Sequence, residues 1–302
     1  MGKVLADAFA PAREAFQEVD EALSQNLSRL MWEGPESDLI LTENAQPAIM
    51  AASIAVLRVL QREAGLDLAK QARLVAGHSL GEYSALCAAG AFSLADTARL
   101  LKTRGLAMQR AVPVGVGAMA ALIGADVALA EAAAREAVEK AVEADPVCVV
   151  ANDNAPGQVV ISGLKATVER AGEIAKAKGV KRALPLAVSA PFHCPLMRPA
   201  AEKMAEALAA VTILPLAVPV VANVTASETN EPETIRRLLV EQVTGRVRWR
   251  ESVAGFRGLG VECCVEFGGN KVLTGMIKRI DKEMASVTLD TPADIEAFAR
   301  TL

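Results

Sequence analysis

Between residues 46 and 64 (QPAIMAASIAVLRVLQREA) apolar side chains fall on nearly every face of a helical period, which predicts a helix buried on most sides. Leu74-Val75-Ala76 is a short buried-strand pattern that runs straight into Gly77-His78-Ser79-Leu80-Gly81. Helical periodicity takes over from Glu82 and again over 93–110. The rhythm then changes across 117–187. GAMAALIG predicts a strand, 126–143 an Ala/Glu-rich helix and VCVVAN a strand; after the turn at Asn154-Ala155-Pro156-Gly157, QVVISG predicts a strand, 165–179 a helix and KRALPLA a strand. That β-α-β-β-α-β order is the pattern of a ferredoxin-like split unit. Beyond Pro195, helices are expected at 196–210, 233–243, 249–258 and 271–280, with strands at 218–222 and in VECCVEF. Alternation on both sides of the 117–187 segment predicts an α/β protein with a parallel sheet covered by helices.

Composition changes this picture little. The 302 residues carry a net charge of −4 with acids and bases interspersed, and only 3% are aromatic. Nucleic acid is therefore not an expected partner, since neither a basic excess nor stacking platforms are present. No run of about 18 uncharged apolar residues could span a bilayer, so no membrane partner is expected. The N-terminus is amphipathic and interrupted by acids, unlike a secretory signal. The five cysteines (Cys87, Cys148, Cys194, Cys263, Cys264) lack paired metal spacing and read as reduced thiols of a cytoplasmic protein.

Candidate chemistry centres on Gly77-x-Ser79-x-Gly81, because it lies between a strand and a helix. In a strand-to-helix turn this sharp there is no room for side chains beside the serine. The hydroxyl then projects at a helix N-terminus, where free N–H groups can stabilise an oxyanion; the Leu80 N–H is one such donor. A serine nucleophile needs a base, and the chain has two histidines. His78 adjoins the serine and is expected to point away across the turn. His193, in Ser189-Ala190-Pro191-Phe192-His193-Cys194-Pro195, follows the nucleophile in the chain, as in hydrolase-like folds. The pair by itself supports acyl transfer or hydrolysis.

The stretches GHSLGEYSALCAAGAFSLADTARLLKTRG, AVPVGVGAMAALIG, NAPGQVVISG, KRALPLAVSAPFHCPLM and KVLTGMIKR, in this order, resemble the malonyl-CoA:acyl carrier protein transacylases of fatty acid synthesis. The resemblance implies a hydrolase-like core formed by 1–115 and 188–302, with a ferredoxin-like subdomain inserted at 116–187. It implies a ping-pong cycle: malonyl-CoA loads Ser79, CoA departs, and the phosphopantetheine thiol of holo-acyl carrier protein takes the acyl group, with His193 moving the protons. Gln242 matches the position that orients the histidine, through its side chain or its backbone carbonyl. Arg104 matches the carboxylate anchor, a task suited to the planar guanidinium fork; on pattern alone, Arg99, Lys102 and Arg110 on the same helix are equivalent to it. Phe192 matches a phenylalanine of malonyl-selective members, whose ring would crowd an α-methyl group. No cofactor is implied beyond the CoA thioester, and a monomer is expected.

Other segments are open to other readings. Arg246-Val247-Arg248-Trp249-Arg250, Lys181 and Arg182 could face an acidic carrier protein or simply form a solvated basic face. Gly268-Gly269-Asn270-Lys271 lacks P-loop spacing and reads as a loop before a helix. Members of the resembled family begin with a hydrophobic strand and a Gly-Gln-Gly-Ser-Gln loop, whereas Met1-Gly2-Lys3 matches the sequence just beyond it. One oxyanion donor is worth roughly 10²–10³ in turnover, and four or five buried apolar side chains at ~1.5–3 kcal/mol each approach a domain's whole stability. The expectation is a start site assigned too far downstream, and a less stable, slower enzyme if the chain is taken literally. Rival readings are an acyltransferase or acyl hydrolase serving a polyketide synthase, and a non-catalytic carrier-protein binder.

Overall fold

The helix expected at 46–64 runs from Thr42 to Glu63 and is buried along most of its length, from Ala48 and Met50 to Val59 and Leu60. The computed structural model describes residues 1–188, 190–268 and 271–302. The N-terminal segment, legible only as amphipathic, forms helices Lys3–Ala8, Ala10–Leu23 and Leu27–Glu33. They lay Leu5, Ala12, Phe16, Val19 and Leu27 into the same core as the long helix. Helix Leu94–Ala111 crosses that helix closely at Gly105. A Cβ there would lie 2.5 Å from Glu43 Cα, so only glycine allows the approach that sets the neighbouring Arg104 beside Gln46. Ser93 caps the helix by accepting the Asp96 N–H at 3.0 Å.

The α/β class read from alternating elements is observed. Strand β1 (Val75–Ala76) leads into the Ser79 turn. The next four strands, β2 (Gly117–Ile123), β3 (Cys148–Ala155), β4 (Gln158–Leu164) and β5 (Arg182–Pro185), form one sheet in the order β3-β4-β2-β5, every neighbouring pair antiparallel. Helices Val127–Glu139 and Lys165–Ala177 cover one face of it, packed through Ala130, Ala133, Ala137, Ala171 and Ala175 against Leu122, Val150 and Ile161. Period-two alternation turns Met119, Ala121, Ala151 and Val160 to the other face, where Phe192 packs on them. Strand β3 breaks register between Val150 and Asn152 and again between Asp153 and Ala155. Such bulges re-aim side chains. Here the bulged segment pairs with the chain at Val247: the Asp153 N–H donates to Val247 O and the Val247 N–H to Ala151 O, both at 2.9 Å.

In the remainder, β6 (Val220–Ala222) runs parallel to β1, and β7 (Ser227–Thr229) returns antiparallel to β6, the intervening turn being too short for a crossover. Strands β8 (Cys263–Phe267) and β9 (Ala285–Leu289) form a parallel pair. No helix is long and apolar enough to cross a membrane among the described residues.

Candidate active site

Ser79 sits at the N-cap of helix Leu80–Ala88 with φ 54° and ψ −110°, a conformation that costs a non-glycine residue strain. The turn closes because Gly77 has no side chain: a Cβ there would stand 2.0 Å from Gly81 O. A Cβ on Gly81 would meet nothing within 4 Å, so the steric need falls on the first glycine of the motif, not on both as the motif suggested. The Leu80 N–H belongs to the first helical residue and makes no bond within the helix.

Asn223, directly after β6, holds the turn from the other side. Its Oδ1 accepts the Ser79 N–H at 2.7 Å, and its Nδ2 donates to Gly77 O at 2.7 Å. One side chain thus spans both limbs of the strained turn.

His193 also has a positive φ, 57°, and is 4% exposed. Its Nε2 lies 2.8 Å from Ser79 Oγ, and its Nδ1 lies 2.8 Å from the backbone oxygen of Gln242. A carbonyl can only accept, so Nδ1 carries the proton and the Nε2 lone pair faces the hydroxyl. Burial, followed by the Arg104 charge, depresses the imidazole to about 3, which keeps it a neutral acceptor at ordinary pH. Of the two ways Gln242 could meet the imidazole, the backbone carbonyl is the one observed. The side-chain amide is turned elsewhere: Nε2 donates to Ser79 O and to Glu82 Oε2, and Oε1 accepts from Arg104, all at 2.9 Å.

Arg104 is 2% exposed. Its Nη1 donates to Gln46 Oε1 at 2.7 Å, and Nη2 donates to Ser79 Oγ at 3.1 Å and to Gln242 Oε1. The guanidinium carbon lies 5.7 Å from the centroid of the Tyr83 ring. The structure therefore separates Arg104 from its helix-mates: Arg99 and Lys102 pair with Asp96 and Glu43 outside the site. Phe192 is half-buried on the sheet face described above. His78 is directed away from the serine, with Nε2 2.8 Å from Asn154 Oδ1 on β3 and its ring edge-on to Trp249.

Several residues of this arrangement carried no readable signal. Asn223 is an isolated polar residue in apolar surroundings, and Gln46 is one of several polar residues at the start of its helix, none of them marked out by the pattern. Glu82 offers one clue, an acid in the first turn of the helix that Ser79 caps. The basic stretch turns out to be internally paired, Arg246 with Glu131, Arg248 with Glu251 and Arg250 with Asp153, while Lys181 and Arg182 are exposed. The Gly269-Asn270 part of the glycine-rich loop, and Ser189 before the histidine loop, lie outside the described residues. No cluster of three or more metal-ligating side chains occurs among the described residues.

A serine paired with a neutral histidine at a strand–helix turn is acyl-transfer geometry, and comparison with known proteins points the same way. A profile for the acyl transferase domain matches residues 1–289. The chain belongs to the acyl transferase domain family. It is 44% identical over 302 residues to the malonyl CoA-acyl carrier protein transacylase of Bacillus subtilis, covering 100% of this chain and 92% of that protein. To the Escherichia coli K12 protein of the same name it is 45% identical over 293 residues, with 97% and 92% covered. The crystal structure of the acyl-carrier-protein S-malonyltransferase of Bartonella henselae superimposes with a TM-score of 0.95 at 52% identity, covering 100% of this chain and 94% of that one. A malonyl-transacylase solved in complex with a type II polyketide acyl-carrier protein gives 0.94 at 41% identity, with 100% and 95% covered. As a member of this family the chain is an acyltransferase.

Proposed function

We propose that this acyltransferase moves a malonyl group from malonyl-CoA to the phosphopantetheine thiol of holo-acyl carrier protein, through a malonyl ester on Ser79. The observation that carries the reading is Arg104: a buried guanidinium 3.1 Å from the serine oxygen, hydrogen-bonded, among the described residues, only to uncharged side chains. A charge so held suits an anionic acyl chain better than a neutral one, and a charge-assisted bond is worth about 1.5–3 kcal/mol.

In the first half-reaction His193 Nε2 takes the Ser79 proton as Oγ attacks the thioester carbonyl. The oxyanion forms at the Leu80 N–H. Collapse breaks the C–S bond, and the departing CoA sulfur takes the proton from the imidazolium. The second half runs the same steps with the carrier-protein thiol as nucleophile and Ser79 as leaving group. Arg104 contributes twice. It anchors the malonyl carboxylate, and once paired it no longer opposes the imidazolium that forms on His193, one of the charges that depress that group. Phe192 lines the acyl side from the face of the four-stranded sheet and is assigned the selection against α-branched chains. We divide the chain accordingly into a core (1–115, 188–302) and an inserted subdomain (116–187). Lys181 and Arg182 are assigned to carrier-protein contact. The cycle calls for no cofactor beyond the CoA thioester, which is a substrate. A cytoplasmic monomer fits this role.

The test is intact mass after mixing with malonyl-CoA. A malonyl adduct should form on the parent chain, fail to form on Ser79→Ala, and be discharged by holo-acyl carrier protein. Because one structural neighbour was solved with a polyketide carrier protein, carrier proteins of both pathways serve as acceptors. An adduct that water discharges as fast as carrier protein would mark a hydrolase, and a folded chain with no adduct would mark a binder.

A further inference from the structure

Glu82 is 2% exposed and lies one helical turn after the nucleophile, with no place in the cycle just described. Among the described residues the other buried carboxylate is Asp153, which is paired with Arg250. Glu82 has no such ion pair. Its Oε2 accepts the Asn223 N–H at 3.0 Å and Gln242 Nε2 at 2.9 Å. These two partners are the ones that organise the site. Asn223 straddles Gly77 and Ser79, while Gln242 touches Ser79 O and Arg104 through its amide and His193 through its carbonyl.

The chemistry of an amide makes this arrangement directional. Gln242 could be turned over, which would point NH₂ at the Arg104 guanidinium and oxygen at Ser79 O and Glu82. Every one of those contacts would be donor against donor or acceptor against acceptor. An anion at Glu82 is the strongest vote for the observed orientation, because charged acceptors bind N–H roughly twice as strongly as neutral ones. On the strength of the reading above, we infer that Glu82 is a positioning residue for acyl transfer: its carboxylate fixes the Gln242 amide and the Asn223 peptide, and through them the Ser79 turn, His193 and the Arg104 fork.

The charge state supplies a readout that a purely structural residue would lack. Burial raises the Glu82 carboxyl to about 7, opposed by its two hydrogen bonds and by the Arg104 charge. The other titratable groups facing it are Arg104 and the Tyr83 phenol, which burial pushes up. His193, reached through Gln242, is held near 3. Near neutrality Glu82 is therefore the group of this network that titrates. Acylation should rise with pH through about 7, and the inflection belongs to Glu82, not to the histidine.

The experiment is single-turnover loading by malonyl-CoA between about pH 5 and 9, for the parent, Glu82→Gln and Glu82→Ala, each checked by circular dichroism and melting. Glutamine keeps an acceptor oxygen and loses the charge. Its profile should be flat through neutrality, with a plateau within about tenfold of the parent. Alanine leaves both donors without their acceptor, and its plateau should fall on the order of 10–100-fold, largely recovered in the glutamine variant. The inference is overturned if Glu82→Gln retains the neutral inflection, if it fails to fold, or if folded Glu82→Ala loads as fast as the parent. A parent chain that forms no malonyl adduct would instead overturn the malonyl reading, so the two failures are distinct.

Discussion

Arg104 and Arg250 stand in opposite electrostatic settings. Arg250 meets Asp153 through Nε, at 3.0 and 2.9 Å to the two carboxylate oxygens, and through Nη2 at 2.8 Å. Its side chain is 37% exposed while that of Asp153 is 1% exposed, and the pair raises the arginine's pKa. Arg104 is fully enclosed, hydrogen-bonded to two amide oxygens and a hydroxyl, and burial lowers its pKa. The first guanidinium is neutralised in place and acts as a joint between β3 and the helix Trp249–Phe256. The second donates through Nη1 and Nη2 to uncharged acceptors and leaves its buried Nε without a hydrogen-bond partner among the described residues, so its charge is not neutralised in place. A cationic site is thus identified by what its hydrogen-bond partners are, more than by how many there are.

The contrast can be broken by exchanging the consequences of removing each charge. Arg250→Ala leaves Asp153 buried without its counter-charge and should cost about 2–4 kcal/mol of stability, less than a fully buried pair because the arginine is partly solvated. Denaturant melts read this loss, and the malonyl-to-acetyl loading ratio should not change. Arg104→Met, of similar length and apolar, should do the reverse. The loading ratio should fall about 10–150-fold, the equivalent of one charge-assisted bond, while the midpoint of melting stays within a few degrees. If Arg104→Met destabilises as much as Arg250→Ala and leaves the ratio intact, the contrast is wrong. The finest cut is Gln46→Leu. It removes one neutral acceptor from Arg104 Nη1, and the KM for malonyl-CoA should rise about 2–12-fold at nearly constant kcat.

How far the sequence could be read follows from the range of each interaction. The four strands β2–β5 and their two helices were visible because each is a self-contained periodic run, and β2, β3 and β4 are long enough to display it. The two-residue β1 showed only because the nucleophile motif follows it. Strands β7 and β9 and the N-terminal helices stayed hidden, since short or half-exposed segments carry little period. Within the site, Ser79 was marked by its flanking glycine and the strand–helix context, and His193 by the scarcity of histidine. Arg104 was indistinguishable from Arg99 and Lys102 until the Gly105 crossing buried it. Asn223, Gln46 and Glu82 are polar residues whose purpose lies in partners 58 to 160 positions away, and no local pattern encodes that.

The bulged segment of β3 bears on protein engineering. Within four consecutive residues it hydrogen-bonds Val247 through the Ala151 and Asp153 backbone, binds Arg250 through the Asp153 carboxylate, and meets His78, the residue before Ser79, through Asn154. The boundary between the four-stranded sheet and the rest of the chain is therefore not a neutral splice line. A chimera that imports a relative's four-stranded sheet to change acyl preference must keep 151–154 together with His78, Val247 and Arg250 as one transplanted unit. If the sheet is moved without them, the Ser79 turn loses its support from the side of that sheet even when every residue chosen to set the preference is correct.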